Sequence, residues 1–237
     1  MPKQVIKSKR MRRNNRRVIR KQPLNRYDLY TTAGSQLWRD VQLLKSFVNT
    51  EFKYFDDSTL FTNIPYITAA GVGTPLLMSL NDVPRGDAGN QRTGMSVRFR
   101  SLQHSCTIDN TATSSLPCRV RMIFFLQLRP DGVAPVLGNL LDLTSDPDPI
   151  NAFRNLNYKS QFAILKDKVF KLDTSAPQHQ QEMKWYKQVN FHTNWTVGNT
   201  DGTNITKNAV YCFVFCDQAG AVLPRIRCMT RTRFIDN

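Results

Sequence analysis

Residues 225–235 read Arg-Ile-Arg-Cys-Met-Thr-Arg-Thr-Arg-Phe-Ile, an alternation that indicates the fold of the whole body. Successive side chains of a β-strand point to opposite faces of a sheet. One face of this strand would be uncharged, whereas the other would carry Arg225, Arg227, Met229, Arg231 and Arg233. Adjacent like charges destabilise a sheet face unless something neutralises them. We expect either carboxylates on neighbouring strands, or a face that holds phosphate or contacts another subunit.

Eight further stretches have the composition of strands and are separated by clusters of Gly, Pro, Asn and Asp. They lie at Thr50–Phe55, Leu60–Thr68, Met78–Leu80, Met95–Asp109, Pro117–Arg129, Gln161–Leu172, Met183–Trp195 and Ala209–Asp217. No internal repeat and no linker divides this part of the chain. About eight strands without helices between them predict an all-β sandwich in a single domain.

The first 26 residues have a different character, because they contain eleven basic side chains and no acidic one. The basic residues are Lys3, Lys7, Lys9, Arg10, Arg12, Arg13, Arg16, Arg17, Arg20, Lys21 and Arg26. This segment supplies +11 of the formal net charge of +15. Its few apolar side chains cannot offset self-repulsion and the loss of backbone entropy. We therefore predict a disordered basic arm, residues 1–27, that binds a polyanion.

One short helix is expected between the arm and the body. Leu37, Val41, Leu44 and Val48 recur at intervals of four, three and four residues, which is helical spacing. The predicted organisation is an arm at 1–27, a connecting helix within 28–49 and a β domain at 50–237.

Four motifs within the body resemble those of small single-jelly-roll capsid proteins. Residues 89–94 (Gly-Asn-Gln-Arg-Thr-Gly) are similar to the step before strand C, and residues 162–168 (Phe-Ala-Ile-Leu-Lys-Asp-Lys) to strand E. Residues 51–56 (Glu-Phe-Lys-Tyr-Phe-Asp) resemble the start of strand B in capsids of small circular single-stranded-DNA viruses, and residues 233–236 their last strand. Coat proteins of the satellite tobacco necrosis type share the two central motifs but package RNA.

The resemblance implies an eight-stranded jelly roll with sheets ordered B-I-D-G and C-H-E-F, in a closed icosahedral shell of sixty copies. Pro117–Arg129 would then be strand D, next to strand I at Arg225–Ile235. Arg119 and Arg121, which alternate with apolar residues, would extend the basic face of strand I. That face would meet the packaged genome or another subunit, unless its arginines pair with carboxylates of the same chain.

The expected function is that of a viral coat protein that packages single-stranded nucleic acid, with DNA favoured over RNA. The expected contacts are the eleven arm residues together with Arg119, Arg121, Arg225, Arg227, Arg231 and Arg233. The arm also suits a host nuclear import receptor, which implies the virion and the host nucleus as locations. The alternatives are an RNA-packaging satellite coat and a monomeric nucleic-acid-binding β module with a basic tail.

Other classes of function find little support in the sequence. No nucleophile–base pair, phosphate-binding glycine loop or set of metal ligands is recognisable, so we expect no enzyme, cofactor or metal. The sequence contains no run of about 18 apolar residues, so no membrane span is predicted. The five cysteines are expected to be reduced thiols. Trp185, Tyr186 and Trp195 are able to stack on bases, but their alternating strands favour core packing.

Overall fold

The computed structural model describes residues 34–41, 43–44, 52–67, 73–110, 117–130, 132–144, 148–174, 179–196, 204–219 and 223–236. A boundary between residues 48 and 49 divides the chain into two units. The predicted arm lies outside the described residues.

The described part of the first unit is a helix, α1, at residues 34–41 and 43–44. Leu37, Val41 and Leu44 of the predicted apolar stripe lie on it, and all three side chains are exposed. The prediction of one helix in this region is confirmed for these residues, and its last turn up to Val48 lies outside them.

The second unit contains two antiparallel sheets. Its strands are β1 (Phe52–Asn63), β2 (Leu76–Ser79), β3 (Ser96–Asp109), β4 (Cys118–Gln127), β5 (Phe162–Leu172), β6 (Gln180–Trp195), β7 (Ile205–Lys207), β8 (Ala209–Cys216) and β9 (Arg225–Asp236). One sheet has the order β1-β9-β3-β6-β7 and the other the order β2-β8-β4-β5. Without the three-residue β7, these orders are B-I-D-G and C-H-E-F. The predicted jelly roll is confirmed.

Two stretches were given the letter before their true one in the jelly roll. Pro117–Arg129, expected to be strand D, is strand E, and residues 162–168, expected to be in strand E, lie in strand F. Strand C is β2, a strand of only four residues, so strand D is β3 and strand E is β4. The stretch expected to be strand D therefore lies in the opposite sheet from β9. Its neighbours are β5 and β8, whereas β9 pairs with β1 and β3.

Strand β1 is continuous where the sequence suggested two separate runs. Asp56 and Asp57, which lie between those two runs, pair in register with β9. Asp56 lies opposite Arg231, whose guanidinium neutralises it. A favourable cross-strand charge pair thus offsets the low strand propensity of aspartate. A β-bulge follows between Thr59 and Thr62.

The main core lies between the two sheets. Its members from β9 are Ile226 and Cys228, which pack with apolar side chains of β3, β4 and β8. The five cysteines are free and buried, in agreement with the expected reduced state. Burial raises the pKa of the Cys106 and Cys118 thiols to about 12, so both remain protonated at neutral pH.

A second core covers the outer face of the four-stranded sheet. Phe125 of β4 and Phe213 of β8 pack there against the segment that contains α2 (Leu137–Leu140) and Ile150. Strand β4 is therefore buried on both faces, which explains its nearly unbroken apolar sequence. A short 3-10 helix, Leu156–Tyr158, ends this segment before β5. Within the described ranges, no helix is long and apolar enough to cross a membrane.

Candidate nucleic-acid interface

The arginine ladder of β9, which consists of Arg225, Arg227, Arg231 and Arg233, faces outward, as the alternation of the sequence predicted. Ile226, Cys228, Thr230, Thr232 and Phe234 are buried. Arg227, Met229 and Arg231 are exposed, and Arg225 and Arg233 are half-buried. The outer face of the five-stranded sheet is therefore basic along this strand.

Two ladder arginines are neutralised by neighbouring strands, which was one of the expected alternatives. Arg231 donates from Nε and Nη2 to both carboxylate oxygens of Asp56, each at 2.7 Å. This hydrogen-bonded pair holds the pKa of the Asp56 carboxyl below its usual value. Nη2 of Arg225 lies 3.6 Å from Oδ2 of Asp109 on β3. The Arg231–Asp56 pair is about half exposed and the Arg225–Asp109 pair is partly exposed, so each contributes little to stability.

The other two ladder arginines form no ion pair within the described residues. Arg227 is exposed near the start of the strand. Arg233 has its guanidinium carbon 3.7 Å from the ring centroid of Phe52 and 5.9 Å from that of Tyr54, both on β1. These are cation–π contacts, which orient the guanidinium without neutralising its charge.

Arg119 lies on the other sheet, contrary to expectation, and pairs with carboxylates of its own chain. Its Nε donates to Asp217 at 2.6 Å, and its Nη2 to Asp148 at 3.2 Å. The hydrogen bond to Asp217 raises the pKa of this guanidinium further above its already high value. Arg119 therefore joins the end of β8 to the segment before β5.

Arg121 is buried and anchors the same segment. Its Nη1 donates to the backbone carbonyl oxygens of Pro149, Ile150 and Ala152, at 2.7, 3.2 and 2.9 Å. Its Nε and Nη2 donate to Asp167 of β5, at 3.0 and 2.7 Å. The expectation that Arg119 and Arg121 extend the basic face of β9 is wrong, because β4 belongs to the other sheet and both side chains hold the segment that packs there.

The structure brings residues of two further strands, β3 and β6, to the basic face of β9. Arg98 and Arg100, near the β-bulge of β3, donate to the side-chain oxygen of Asn190 on β6, at 2.7 and 3.4 Å. Tyr186 of β6 is 58% exposed on this face rather than packed in the core. Strand parity was the available signal, because Tyr186 shares its phase with Lys184 and Gln188, whereas Trp185 does not.

The interior position of the two tryptophans agrees with the expectation of core packing. Trp195 is buried beneath the guanidinium of Arg92, whose carbon lies 4.3 Å from the ring centroid. Trp185 stacks at a tilt on Phe124, with ring centroids 4.6 Å apart.

Comparison with known proteins gives distant similarities of fold. No family model matches the chain, and no curated protein matches it. A solved structure of desmodium yellow mottle tymovirus is 8% identical, covers 79% of this chain and 88% of its own, and has a TM-score of 0.36. A 60-mer BFDV capsid protein is 8% identical over 80% of this chain and 94% of its own, with a TM-score of 0.32. A structure of deformed wing virus carrying the GFP gene is 8% identical over 93% of this chain and 88% of its own, with a TM-score of 0.29.

Proposed function

We propose that this protein is a viral coat protein that assembles into a closed shell around single-stranded nucleic acid. In this proposal residues 1–27 are the nucleic-acid-binding arm, residues 28–49 connect it, and residues 50–237 form the wall. A jelly roll by itself also serves lectins and enzymes of the cupin type, so the function has to be argued from charge and surface.

The observation that best supports this function is the unequal distribution of charge. The first 26 residues carry +11, and the remaining residues together carry +4. Within the described body, aspartates of the same chain already pair with several cations, as in Arg119–Asp217, Arg121–Asp167 and Arg231–Asp56. The arm, by contrast, contains no acidic side chain, so the largest local excess of positive charge in the sequence lies there.

The physical mechanism would be release of counterions. Lysine and arginine displace condensed cations from the phosphates of a single strand, which favours binding with little preference for sequence. Arginine outnumbers lysine seven to four in the arm, and its planar fork matches phosphate oxygens. If the shell has sixty copies, about 660 arm charges meet in one cavity and neutralise part of the genome.

Contacts between copies would use the loop segment that precedes β5. Val133, Val136, Phe153 and Leu156 are exposed there, with Phe153 at 81%. Ile67 and Leu77, by contrast, pack in the second core.

DNA is the favoured cargo because of the resemblance of residues 51–56 to the strand-B start of the single-stranded-DNA viruses. The same reading places assembly in the host nucleus, with the arm as ligand of an import receptor. RNA cargo of the satellite type is the alternative within this class of function.

The test is the state and content of the purified full-length protein. Gel filtration and negative-stain microscopy are expected to show closed particles, and DNase is expected to digest the nucleic acid released from them. RNase-sensitive contents would replace DNA by RNA in the proposal. A monomer at all salt concentrations would overturn the coat function in favour of a nucleic-acid-binding module with a basic tail.

A further inference from the structure

A surface pocket of about 430 Å³ lies on the outer face of the five-stranded sheet, beside the β-bulge of β3. The side chains that matter here are Phe52 of β1, Arg100 of β3, Tyr186 of β6 and Arg233 of β9. Two are cationic and two are aromatic, although they come from four different strands. The sheet therefore brings together the two chemical classes that contact a nucleotide.

The two guanidinium groups have unused hydrogen-bonding capacity. Within the described residues, Nε of Arg100 and Nε of Arg233 are removed from solvent and have no hydrogen-bond partner. Neither arginine forms an ion pair with a described carboxylate, in contrast to Arg231, which Asp56 neutralises. Buried donors without acceptors are uncommon and costly. An anion that these guanidinium groups reorient to bind would supply the missing acceptors and the missing charge.

The two aromatic rings are differently occupied. One side of Phe52 already faces the guanidinium of Arg233 at 3.7 Å. Tyr186 is 58% exposed, and no ring contact engages it among the described residues. An exposed ring beside unpaired cations is the arrangement by which proteins stack the bases of a single strand. In a duplex both faces of each base are covered, so this arrangement suits a single strand.

We propose that this pocket binds one nucleotide of a single strand, with the base on Tyr186 and the phosphate between Arg100 and Arg233. The inference rests on the proposed function and deepens it, because it adds a body site to the arm. The pocket includes Arg233 at one end of the ladder of β9, where outward-facing positions recur every second residue, about 6.7 Å apart, and all but Met229 from Arg225 to Arg233 are arginines. Arg231 is the next rung, and Arg227 is exposed beyond it.

A second copy of the chain is a less suitable occupant of this face. Two copies that met face to face would oppose basic ladders, which is repulsive. A head-to-tail contact would need an acidic face, yet the six described ion pairs engage six aspartates within the same chain. Charge complementarity thus favours a polyanion.

The experiment uses the full-length protein and a short oligonucleotide with 2-aminopurine at its centre. Fluorescence of this base is quenched when it stacks on an aromatic ring. The first 26 residues contain no aromatic side chain, so aromatic stacking reports on the rest of the chain rather than on the arm. The wild-type protein and Tyr186→Phe, which retains the ring, are expected to quench the probe equally.

Tyr186→Ala is expected to abolish the quenching and to weaken binding by about 5- to 150-fold, the range for loss of one stacked base. Trp38→Ala is the matched control, because Trp38 of α1 is a more exposed aromatic residue that does not line the pocket. Arg233→Gln should lower the slope of log affinity against log salt by about 0.7, the value for one lost phosphate contact. The circular dichroism of each variant verifies that the sheets remain intact.

The outcomes separate the pocket from the coat function. Unchanged quenching in Tyr186→Ala, in a protein that still packages nucleic acid, would overturn the pocket and leave the coat function standing. Quenching that depends on Tyr186 in a protein that never forms particles would support the pocket and overturn the coat function. Loss of particle formation in Tyr186→Ala with unchanged quenching would overturn the pocket and identify the face as a contact between copies.

Discussion

Asp236, near the end of β9, accepts two hydrogen bonds of 2.6 Å from Thr93, one from the backbone nitrogen and one from the hydroxyl. Nζ of Lys53 on β1 donates to the same carboxylate oxygen at 3.2 Å. The side chains of Lys53 and Asp236 are only 7% and 6% exposed. One carboxylate therefore joins β1, β9 and the loop before β3. Three of the motifs that carried the family resemblance, residues 51–56, 89–94 and 233–236, meet at this point.

Replacement of Asp236 by Asn is expected to destabilise the body strongly. The substitution removes the charge that neutralises buried Lys53 and gives Thr93 a weaker acceptor. Removal of one partner of a buried ion pair costs about 3–5 kcal/mol. The free energy of unfolding, measured by urea titration, should fall by that amount.

Asp57→Asn is the matched control for this substitution, because Asp57 lies on β1, the strand of Lys53, with its side chain exposed. A surface change of this kind is expected to remain within about 0.5 kcal/mol of the wild type. If the Asp236 and Asp57 variants unfold at the same urea concentration, the Lys53–Asp236 pair does not fasten the sheet.

Stability is expected to fall in mild acid because of His104. This histidine is buried between the sheets, where Nδ1 lies 2.8 Å from the hydroxyl of Thr230 and the ring meets Phe124 edge-on. Burial lowers its pKa from 6.5 to about 4. Between these values the unfolded chain binds a proton that the folded chain rejects, so the free energy of unfolding decreases as the pH falls. The total loss is about 3 kcal/mol, at 1.36 kcal/mol for each unit of pKa.

The pH profile of unfolding distinguishes His104 from the carboxylates. Hydrogen bonds and Lys53 lower the pKa of Asp236 despite its burial, so its contribution is lost only at still lower pH. His104→Gln should therefore flatten the profile between about pH 6.5 and 4 and leave the steeper fall below it. An identical slope in wild type and variant across that window would contradict the assignment to His104.

The sequence predicted this fold well wherever strand periodicity was strong. The alternation of residues 225–235 placed Ile226 inside and Arg227 outside correctly. The prediction that Arg121 lies on the same sheet face as the arginines of β9 was wrong for two physical reasons. A strand as short as β2 has too few residues to display a period and was not recognised as strand C, so the stretches now seen as β4 and β5 were assigned one position too early. The loop that covers the outer face of β4 has no periodicity at all, and its contact with the sheet is visible only in three dimensions.

The candidate site shows the same division. The basic outer face of β9 follows from period-two alternation, but the pocket depends on lateral register between strands. Tyr186 lies opposite Gln103, and Arg233 opposite Ser101, through pairings that no single stretch of sequence encodes. A residue was thus placed on a face from local sequence, whereas its neighbours across the sheet required the fold.

Arg121 is expected to act as a structural residue rather than as a contact for nucleic acid. Arg121→Gln would leave the carbonyl groups of Pro149, Ile150 and Ala152 with fewer donors and Asp167 without its buried partner. We expect a loss of about 3 kcal/mol or more in the free energy of unfolding and faster amide exchange in this segment.

Arg227→Gln is the matched control for stability, because Arg227 is exposed and forms no ion pair within the described residues. Its removal should leave stability within about 0.5 kcal/mol of the wild type.

Oligonucleotide binding by the folded Arg121 variant should retain the wild-type salt slope. A reduced salt slope in that variant, with unchanged stability, would restore Arg121 to the nucleic-acid interface.

The arm should account for most of the salt dependence of nucleic-acid binding. Deletion of residues 1–26 removes eleven cations, and each phosphate contact contributes about 0.7 to the slope for a single strand. The slope of log affinity against log salt should fall by up to about 8, and packaging at moderate salt should cease. Filter binding across a salt series measures the slope, and circular dichroism verifies that the sheets persist.

A variant with all seven arm arginines replaced by lysine separates charge from geometry. It retains the number of cations, so release of counterions predicts an unchanged slope. Lower affinity at an unchanged slope would show that the planar guanidinium fork contributes beyond its charge. If the truncated protein instead packages nucleic acid as efficiently as the full chain, the basic face of the body holds the genome and the arm serves another partner.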